Sequence, residues 1–295
     1  MIEELLAAKP VVTDGAWGTE LQARGLAPGD LPDAWNLLHP DRVQEVARAY
    51  VEAGSAIILT NTFRSNRIAL AGHGLADQVV GLNRRGVEIS RSAAAGRSRV
   101  FASMGPSGRM LISGDVTEDE LRIAFSEQAR VLADAGAEAI VVETMADLPE
   151  AVLAVAAART TGLPVVACMV FDTGKNRDRT VMGITPEQAA EKLAGAGADV
   201  IGANCGLGIE SYVSICRRLH AVAGRPIWIK PNAGLPDLEE GRPVYRTTAE
   251  EFASSLPALV SAGAAFVGGC CGTTPAFVSA LVRARELLPL PSQGP

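Results

Sequence analysis

The chain has 295 residues, of which 48% are hydrophobic and 20% are charged, a composition typical of a packed soluble protein. Its 27 basic and 33 acidic side chains give a net charge of −6, which disfavours binding to nucleic acid or to an anionic membrane surface. No apolar run reaches the roughly 18 residues of a membrane span, and the start is acidic where a signal peptide would be basic. Five cysteines, two of them adjacent, do not suit a disulfide framework, so we predict a reducing, cytoplasmic location.

Apolar segments predicted to be strands alternate with amphipathic segments predicted to be helices along the whole chain. Eight strands are predicted, at Pro10–Asp14, Ala56–Thr62, Val100–Gly105, Ala139–Thr144, Pro164–Phe171, Asp199–Asn204, Pro226–Lys230 and Ala264–Gly269. The intervening helices are clearest at Asp41–Ala53, Glu118–Ala135, Pro186–Ala196, Glu250–Ser261 and Pro275–Leu288. Eight such units in a chain of this length favour a (β/α)8 TIM barrel over an open doubly wound sheet, whose G-x-G-x-x-G fingerprint follows none of these strands.

A short repeat supports the barrel. An Ala-Gly pair followed by an apolar run occurs where the second, fourth, sixth and eighth strands begin. The shared glycine has the position of a left-handed helix terminator, and it recurs as Gly54, Gly136, Gly197 and Gly263.

No change of composition marks a domain boundary, so residues 1–295 are predicted to form a single barrel domain. The opening segment Ile2–Lys9 is predicted to be a short helix that covers the N-terminal end of the barrel. The tail Leu290–Pro295 is predicted to be frayed. The polar loops Asp172–Thr180 and Gly234–Arg246 follow strands and are long enough to cover a site at the opposite end.

Two adjacent cysteines, Cys270 and Cys271, follow the last predicted strand and are flanked by glycines. Successive residues of a regular strand point to opposite faces, so only an irregular strand end lets both sulfurs converge. Cys205 has the matching place after the sixth strand. Three thiolates are soft ligands that suit tetrahedral Zn²⁺ with a fourth position left for substrate. The alternatives are that these cysteines are small buried residues, or that the adjacent pair forms a strained disulfide.

Functional groups of a (β/α)8 barrel gather at the C-terminal ends of its strands. The predicted ends carry carboxylates, amides, thiols and a lysine, but no histidine. His39, His73 and His220 fall in loops or helices and are predicted to be structural, which disfavours base catalysis by imidazole. Cys168, inside a strand, and Cys216, on a helix, are predicted to be core residues.

Several of these strand ends carry motifs that resemble the homocysteine S-methyltransferase family. They are Asp-Gly-Ala-x-Gly-Thr at 14–19, Thr-Asn-Thr-Phe at 60–63, Asn-Cys-Gly at 204–206, Pro-Asn-Ala-Gly-Leu-Pro at 231–236 and Gly-Gly-Cys-Cys-Gly-Thr-Thr-Pro at 268–275. The likeness spans roughly Pro10 to Arg285. It implies a (β/α)8 barrel that binds zinc through Cys205, Cys270 and Cys271 and takes homocysteine by its sulfur, so that methyl transfer gives methionine.

The resemblance also indicates which residues bind the charged amino acid end of the substrate. Asp14 and Glu143 match family residues that hold the ammonium of homocysteine. Backbone N–H groups of the glycine-rich turn that contains Gly15, Ala16 and Trp17 could bind the carboxylate, as helix N-termini bind anions. The alternatives are a helix N-cap for Asp14 and a rim salt bridge for Glu143.

A further family position concerns the metal itself. Asn232 resembles an asparagine that can supply an oxygen to zinc when substrate is absent. The side chain of Trp17 could face the donor, face the substrate, or only pack the first loop.

The methyl donor is indicated by a departure from the family. The betaine-using branch carries a tyrosine where this chain has Arg64, and its donor tryptophan does not align cleanly with Trp35. Aromatic faces bind a quaternary ammonium, and an arginine beside it repels that cation. The resemblance therefore favours S-methylmethionine or a methyl-corrinoid over betaine.

Other functions stay open at this point. One is a catalytic subunit that exchanges methyl groups with a separate corrinoid protein, using another thiol or methyl substrate. Another is a barrel whose zinc is purely structural and whose substrate is unrelated, which would need a fourth protein ligand. A non-catalytic binding protein is a third. The expected partners are homocysteine and a small-molecule or corrinoid-bound methyl donor, with a homo-oligomer as an open alternative.

Overall fold

The computed structural model describes residues 1–8, 10–239 and 242–288. Within these ranges the strands are β1 (Val11–Val12), β2 (Ile57–Ile58), β3 (Arg99–Met104), β4 (Ala139–Met145), β5 (Val165–Met169), β6 (Val200–Gly208), β7 (Ile227–Asn232), β8 (Asp237–Glu239), β9 (Arg242–Val244) and β10 (Ala264–Val267).

The helices alternate with these strands. They are α1 (Ile2–Leu6), α2 (Gly18–Ala23), α3 (Trp35–Leu38), α4 (Pro40–Glu52), α5 (Arg67–Ala71), α6 (Val79–Ala94), α7 (Glu118–Asp134), α8 (Leu148–Arg159), α9 (Pro186–Gly195), α10 (Ile209–Ala223), α11 (Ala249–Ser254), α12 (Leu256–Ser261) and α13 (Pro275–Glu286).

Eight parallel strands form one sheet in the order β1-β10-β7-β6-β5-β4-β3-β2. Thr13 makes a parallel bridge to Ile57, which joins β1 to β2 and brings the two edges of the sheet together. The strands are rich in valine, isoleucine and alanine and are buried on both faces, as expected where helices cover a parallel sheet. The predicted (β/α)8 TIM barrel is confirmed.

Large aromatic side chains fill the inside of the barrel. Trp228 lies between Phe101 and Phe266, with ring centroids 6.2 Å and 5.2 Å away. Apolar side chains of α1 pack against this interior cluster, so the predicted cover of the N-terminal end is confirmed. The predicted end of that helix, Lys9, lies outside the described residues, as does the tail Leu290–Pro295.

Two predicted boundaries are wrong. The single helix expected over Glu250–Ser261 is divided into α11 and α12, because Pro257 lacks the N–H group that a continuous helix needs and its ring crowds the preceding turn. The stretch Gly234–Arg246, expected to be a loop, contains the antiparallel pair β8 and β9, and Arg246 pairs with acidic side chains of β8.

The other small expectations agree with the structure. Cys168 is buried inside the barrel, and Cys216 is buried between the helices and the sheet. The four repeated glycines all have φ between 95° and 106°. No helix in the described part of the chain combines the length and the apolarity needed to cross a membrane.

Candidate active site

The three predicted thiol ligands meet at the C-terminal rim of the barrel. Cys205 lies near the end of β6, and Cys270 and Cys271 lie in the turn after β10. Their Sγ atoms are all within 4.8 Å of one another, and the Cys205 and Cys271 sulfurs are 3.9 Å apart. All three cysteines are free thiols and are partly buried. The fold therefore brings together the three thiols that the sequence analysis predicted to converge.

The irregular backbone expected at these strand ends is present. Cys205 has φ of 65°, in the left-handed region that side chains other than glycine rarely adopt, and the register between β6 and β7 shifts just after Asn204. The hydroxyl of Tyr212 donates a hydrogen bond to the Cys205 carbonyl oxygen. A buried helix residue therefore helps to hold the strained position.

The turn that carries the cysteine pair is anchored to β7. Its Thr273 N–H donates to the Cys270 carbonyl oxygen at 3.0 Å, and the Cys270 N–H donates to the Pro231 carbonyl oxygen at 2.7 Å. The Cys271 carbonyl oxygen accepts from Ala233 N–H at 2.9 Å. These backbone bonds fix both sulfurs relative to the neighbouring strand.

An amide side chain lies beside the three thiols. Asn232, at the end of β7, donates through Nδ2 to the Gly206 carbonyl oxygen at 3.2 Å. Its Oδ1 is buried, and among the described residues it has no hydrogen-bond partner. An unpartnered oxygen beside Cys205 is consistent with the predicted role of Asn232 as an oxygen ligand.

The pKa values of the three thiols are shifted in different directions. Hydrogen bonds from Cys270 and then Cys271 hold the pKa of the Cys205 thiol well below its usual value. The hydrogen bond to Cys205 is also the main reason why the pKa values of Cys270 and Cys271 are raised. One thiolate stabilised by two thiols could bind a metal ion, which would displace the two remaining protons to solvent.

Tyr245 is a member of this site that the sequence did not reveal. A Cβ atom placed on Gly272 would lie 2.2 Å from the Tyr245 ring, so the tyrosine packs on the turn that carries the cysteines. Burial raises the pKa of Tyr245, and the nearby thiols, with Cys271 first among them, raise it further. The predicted covering loop does reach the site, through this side chain.

Glu143 lies at the end of β4 and is 8% exposed. Its Oε1 accepts from the Ser103 hydroxyl at 2.5 Å, and its Oε2 accepts from Asn204 Nδ2 at 3.3 Å. Burial raises the pKa of the carboxyl, while the charge of Lys230 acts in the opposite direction. The described residues give Glu143 no salt bridge, so the rim-salt-bridge alternative is wrong.

Asn204 connects this carboxylate to the thiols. Its Nδ2 also donates to Thr144 Oγ1 at 2.7 Å and lies 3.9 Å from Cys270 Sγ, while its Oδ1 accepts from Thr144 N–H at 2.7 Å. The Glu143 carboxylate is thus close to the three cysteine sulfurs. The Asn-Cys-Gly motif contained this residue, but only the fold shows its partners.

Asp14 lies deeper than expected. It is fully buried, its Oδ1 is 2.5 Å from Lys230 Nζ, and its Oδ2 accepts from Trp17 Nε1 at 2.8 Å and from Leu59 N–H at 2.7 Å. The N-cap alternative for Asp14 is wrong, because α2 begins at Gly18 with Trp17 as its N-cap residue.

Some backbone groups of the glycine-rich turn already have hydrogen-bond partners within the protein. Ala16 N–H donates to Thr273 Oγ1 at 3.2 Å, and a Cβ atom on Gly15 would lie 2.8 Å from that same oxygen. Ala16 also accepts a hydrogen bond from the Tyr50 hydroxyl at 2.6 Å. The turn therefore packs closely on the cysteine loop, and only part of its backbone is free for a ligand.

A cavity of about 240 Å³ opens onto these groups. Its lining joins the thiols to the first loop, the second strand end and the buried polar groups: Gly15, Ala16, Trp17, Gly18, Thr19, Pro32, Asp33, Leu59, Thr60, Asn61, Phe63, Arg64, Ser103, Glu143, Thr144, Cys205, Lys230, Gly269, Cys270 and Cys271. Trp17 faces this cavity while its indole N–H holds Asp14. A small polar ligand could touch the sulfurs and Glu143 together.

The outer part of the cavity carries Arg64 and Asp33. Arg64 is exposed, and the described residues offer its side chain no ion pair within 4 Å. The Asp33 Oδ1 accepts from Arg64 N–H at 2.8 Å and from the Ser65 hydroxyl at 2.6 Å, and burial raises the pKa of Asp33 to about 6. Trp35 packs edge-to-face on His39 and does not line the cavity.

Comparison with known proteins gives a consistent result. The family model for homocysteine S-methyltransferase matches residues 11–285 of this chain. Methionine synthase from Mycobacterium tuberculosis is 33% identical over 294 residues, covering 93% of this chain and 24% of that protein. Methionine synthase from Mycobacterium leprae is 33% identical over 288 residues, covering 92% of this chain and 24% of that protein. The chain thus spans about a quarter of the length of these relatives.

Solved structures agree with this likeness. The metallated form of the homocysteine methyltransferase MmuM from Escherichia coli superimposes with a TM-score of 0.79 at 25% identity, covering 95% of this chain and 98% of that one. The oxidized form of that enzyme gives a TM-score of 0.78 at 25% identity, with 96% and 98% covered.

Proposed function

The chain belongs to the homocysteine S-methyltransferase family and is a methyltransferase, and we propose that it transfers a methyl group from an activated donor to the sulfur of homocysteine. The product would be methionine. The observation that carries this proposal is one cavity that contacts Cys205, Cys270 and Cys271 and also reaches the buried carboxylate of Glu143. Such a cavity suits a small molecule with a thiol at one end and an ammonium at the other.

The donor set fits zinc. Three soft thiolates within 4.8 Å of one another, with the cavity beside them, resemble a catalytic zinc site that keeps one position open. The open cavity favours a catalytic metal over a purely structural one. Zinc bound by these residues would lower the pKa of the homocysteine thiol so that it reacts as a thiolate. We further propose that Asn232 Oδ1 contributes an oxygen ligand when substrate is absent.

The protein's own part in the reaction is positioning. Glu143 would hold the substrate ammonium, with Asn204 and Ser103 keeping its carboxylate in place. The homocysteine sulfur attacks the methyl carbon, a sulfur–carbon bond forms, and the bond from methyl to donor breaks with its electron pair leaving on the donor. The thiol proton is released to solvent when the substrate binds. The reaction needs only that donor and sulfur be aligned at close distance.

Arg64 supports a donor other than betaine. Its exposed guanidinium lines the outer cavity, where a quaternary ammonium would meet a like charge. The same side chain could bind a carboxylate or a phosphate, groups found on S-methylmethionine and at the periphery of a corrinoid. We therefore propose S-methylmethionine or a methyl-corrinoid as the donor.

The activity is tested by incubating the purified, zinc-loaded protein with homocysteine and each of three donors: S-methylmethionine, methylcobalamin and betaine. Mass spectrometry of the product should detect methionine with one of the first two and negligible methionine with betaine. Absence of methionine with all three donors would reject the proposal. Ready demethylation of betaine would reject the donor assignment alone.

The metal assignment has its own test. Cys205→Ser, Cys270→Ser and Cys271→Ser should each lose zinc and activity. Cys216→Ser should keep both, because that buried thiol hydrogen-bonds to carbonyl oxygens of the outer core, away from the three site thiols. Full zinc content in all three site variants would exclude these ligands. The barrel should also keep its circular dichroism after chelation, since its core does not depend on the metal.

A further inference from the structure

Lys230 is a buried cation whose place in the site no sequence motif explains. It lies on β7, is 2% exposed and lines the same cavity as the thiols and Glu143. We propose that Lys230 binds the carboxylate of the acceptor thiol and so selects thiols that carry an acid group. This inference rests on the proposed function and names the group that recognises one end of its substrate.

The first observation concerns Asp14. Its two oxygens are already committed, Oδ1 to Lys230 Nζ at 2.5 Å and Oδ2 to the N–H groups of Trp17 and Leu59. It is fully buried and does not line the cavity. Asp14 therefore holds Lys230 from below, and Lys230 is the charged group that a ligand in the cavity meets.

The second observation is the hydrogen-bonding capacity of the ammonium. Lys230 Nζ has three N–H donors, and among the described residues the hydrogen bonding accounts for one of them, to Asp14. A buried charged donor left without an acceptor is costly. The Asp14 carboxylate, 2.5 Å from Lys230 Nζ, favours the charged form of the lysine. A ligand carboxylate would satisfy the free donors.

The third observation is charge complementarity across the cavity. Homocysteine has an ammonium and a carboxylate on one carbon, and the cavity is lined by both the Glu143 carboxylate and the Lys230 ammonium. Asn204 Nδ2 lies 3.3 Å from Glu143 Oε2 and 3.9 Å from Cys270 Sγ, so the cysteine sulfurs lie near this carboxylate. An amino acid thiol would thus meet three matching groups at once.

The backbone turn is the competing carboxylate site. One of its N–H groups, that of Ala16, is already bonded to Thr273 Oγ1 at 3.2 Å. Its remaining N–H groups would act as weak partial charges, whereas Lys230 supplies a full charge in a dry cavity. Lys230 is therefore the stronger partner for an anion.

Two truncated thiols separate the roles of the charges. 3-Aminopropanethiol is homocysteine without its carboxylate, and 4-mercaptobutyrate is homocysteine without its ammonium. Binding of all three thiols to the zinc-loaded protein is measured by calorimetry without any donor. Lys230→Met should weaken homocysteine and 4-mercaptobutyrate by roughly 10- to 100-fold, the usual worth of a charge-assisted hydrogen bond, and change 3-aminopropanethiol less than about threefold.

Lys230→Met leaves Asp14 buried without its partner, so a second comparison guards against misfolding. The double variant Asp14→Asn, Lys230→Met removes both charges of this pair, and its reference is Asp14→Asn alone. The loss should again appear only for the two thiols that carry a carboxylate. Glu143→Gln is the mirror control, which should weaken homocysteine and 3-aminopropanethiol but spare 4-mercaptobutyrate.

The outcomes are distinguishable. Equal weakening of all three thiols by Lys230→Met, with the same pattern in the double variant, would mean that Lys230 only supports the fold, and the proposal would be overturned. Unchanged binding of all three would place the carboxylate elsewhere and overturn it too. If the unmodified protein binds homocysteine and makes methionine, either result leaves the proposed function intact. If the unmodified protein binds no thiol, the proposed function fails first.

Discussion

Replacing Gly272 by alanine should damage the proposed metal site through a single methyl group. Gly272 has φ of +81°, and a Cβ atom there would lie 2.2 Å from Cγ of Tyr245 and 2.5 Å from each Cδ atom. Gly183 provides a matched control, since its φ is +80° and nothing lies within 4 Å of its Cβ position. The two variants share the same backbone cost and differ only in the contact with the tyrosine.

The magnitudes follow from this pairing. A side chain in left-handed backbone costs about 1–2 kcal/mol, which is the full loss expected for Gly183→Ala. Gly272→Ala should lose about 1–3 kcal/mol more, because overpacking forces either the Tyr245 ring or the turn to move. Since the same turn carries Cys271, zinc affinity should fall by about tenfold or more in Gly272→Ala and stay unchanged in Gly183→Ala.

Two measurements check this prediction. Urea unfolding of the metal-free proteins gives the free energy of unfolding, and competition with a chromogenic chelator gives the zinc affinity. The double variant Gly272→Ala, Tyr245→Ala should recover part of the zinc affinity, because the clashing ring is gone. Equal losses of stability in the Gly272 and Gly183 variants, together with unchanged zinc affinity, would refute the steric argument.

Three further predictions follow from the site. Burial raises the pKa of Asp33 from 3.8 to about 6, so the free energy of unfolding should fall as pH rises through this range, by about 3 kcal/mol at most. Urea unfolding at pH 4.5 and 7.5 should show a smaller pH-dependent loss of stability in Asp33→Asn than in the unmodified protein, and equal losses in the two proteins would contradict the prediction. Burial is the main reason why the pKa of Glu143 is raised, so homocysteine affinity should begin to fall on acidification at a higher pH than it would with an ordinary carboxylate. In calorimetry from pH 5 to 8, Glu143→Gln should bind homocysteine at least roughly tenfold more weakly and should lose this pH dependence. A pH dependence in the variant as steep as that of the unmodified protein would exclude the assignment. Arg64→Tyr should lower kcat/KM for the donor more than it lowers homocysteine affinity, and steady-state kinetics showing equal losses would remove Arg64 from the donor site.

The sequence predicted the fold because each barrel strand is a short buried run between helices. It also predicted that Cys205, Cys270 and Cys271 lie together, because glycine-flanked cysteines at strand ends are unusual and because the motifs are specific. Strand bounds were less accurate: β1 is only Val11–Val12, whereas β6 continues to Gly208 through the irregular segment that contains Cys205. Hydrophobic pattern marks buried runs, but hydrogen-bond pairing with neighbours decides where a strand ends.

The partners of these residues were beyond the sequence. Lys230 and Asp14 are 216 positions apart; the resemblance predicted a substrate-binding role for Asp14, and Lys230 was recognised only as a polar group at a strand end, so their pairing was not foreseen. Tyr245 lies in a segment whose polar composition predicts a loop and gives no sign that one ring packs on Gly272. Side-chain pairs across a barrel rim depend on register and on the reach of long side chains, neither of which a linear pattern contains.

The path between Lys230 and Asp14 explains one more feature of the cysteine motif. In the sheet, β10 lies between β1 and β7, so the lysine must cross the end of β10 to reach the aspartate. Gly268 lies at this crossing, where a Cβ atom would be 3.3 Å from Lys230 Cγ, 2.0 Å from Thr13 Oγ1 and 2.6 Å from the Asp14 carbonyl oxygen. Any side chain there would displace the strand end that carries Asp14 and crowd the lysine stem. The two glycines before the cysteines therefore have separate tasks: Gly268 admits the buried ion pair beneath the cavity, and Gly269, whose Cβ would lie 2.3 Å from Thr273 Oγ1, lets the turn close around the sulfurs.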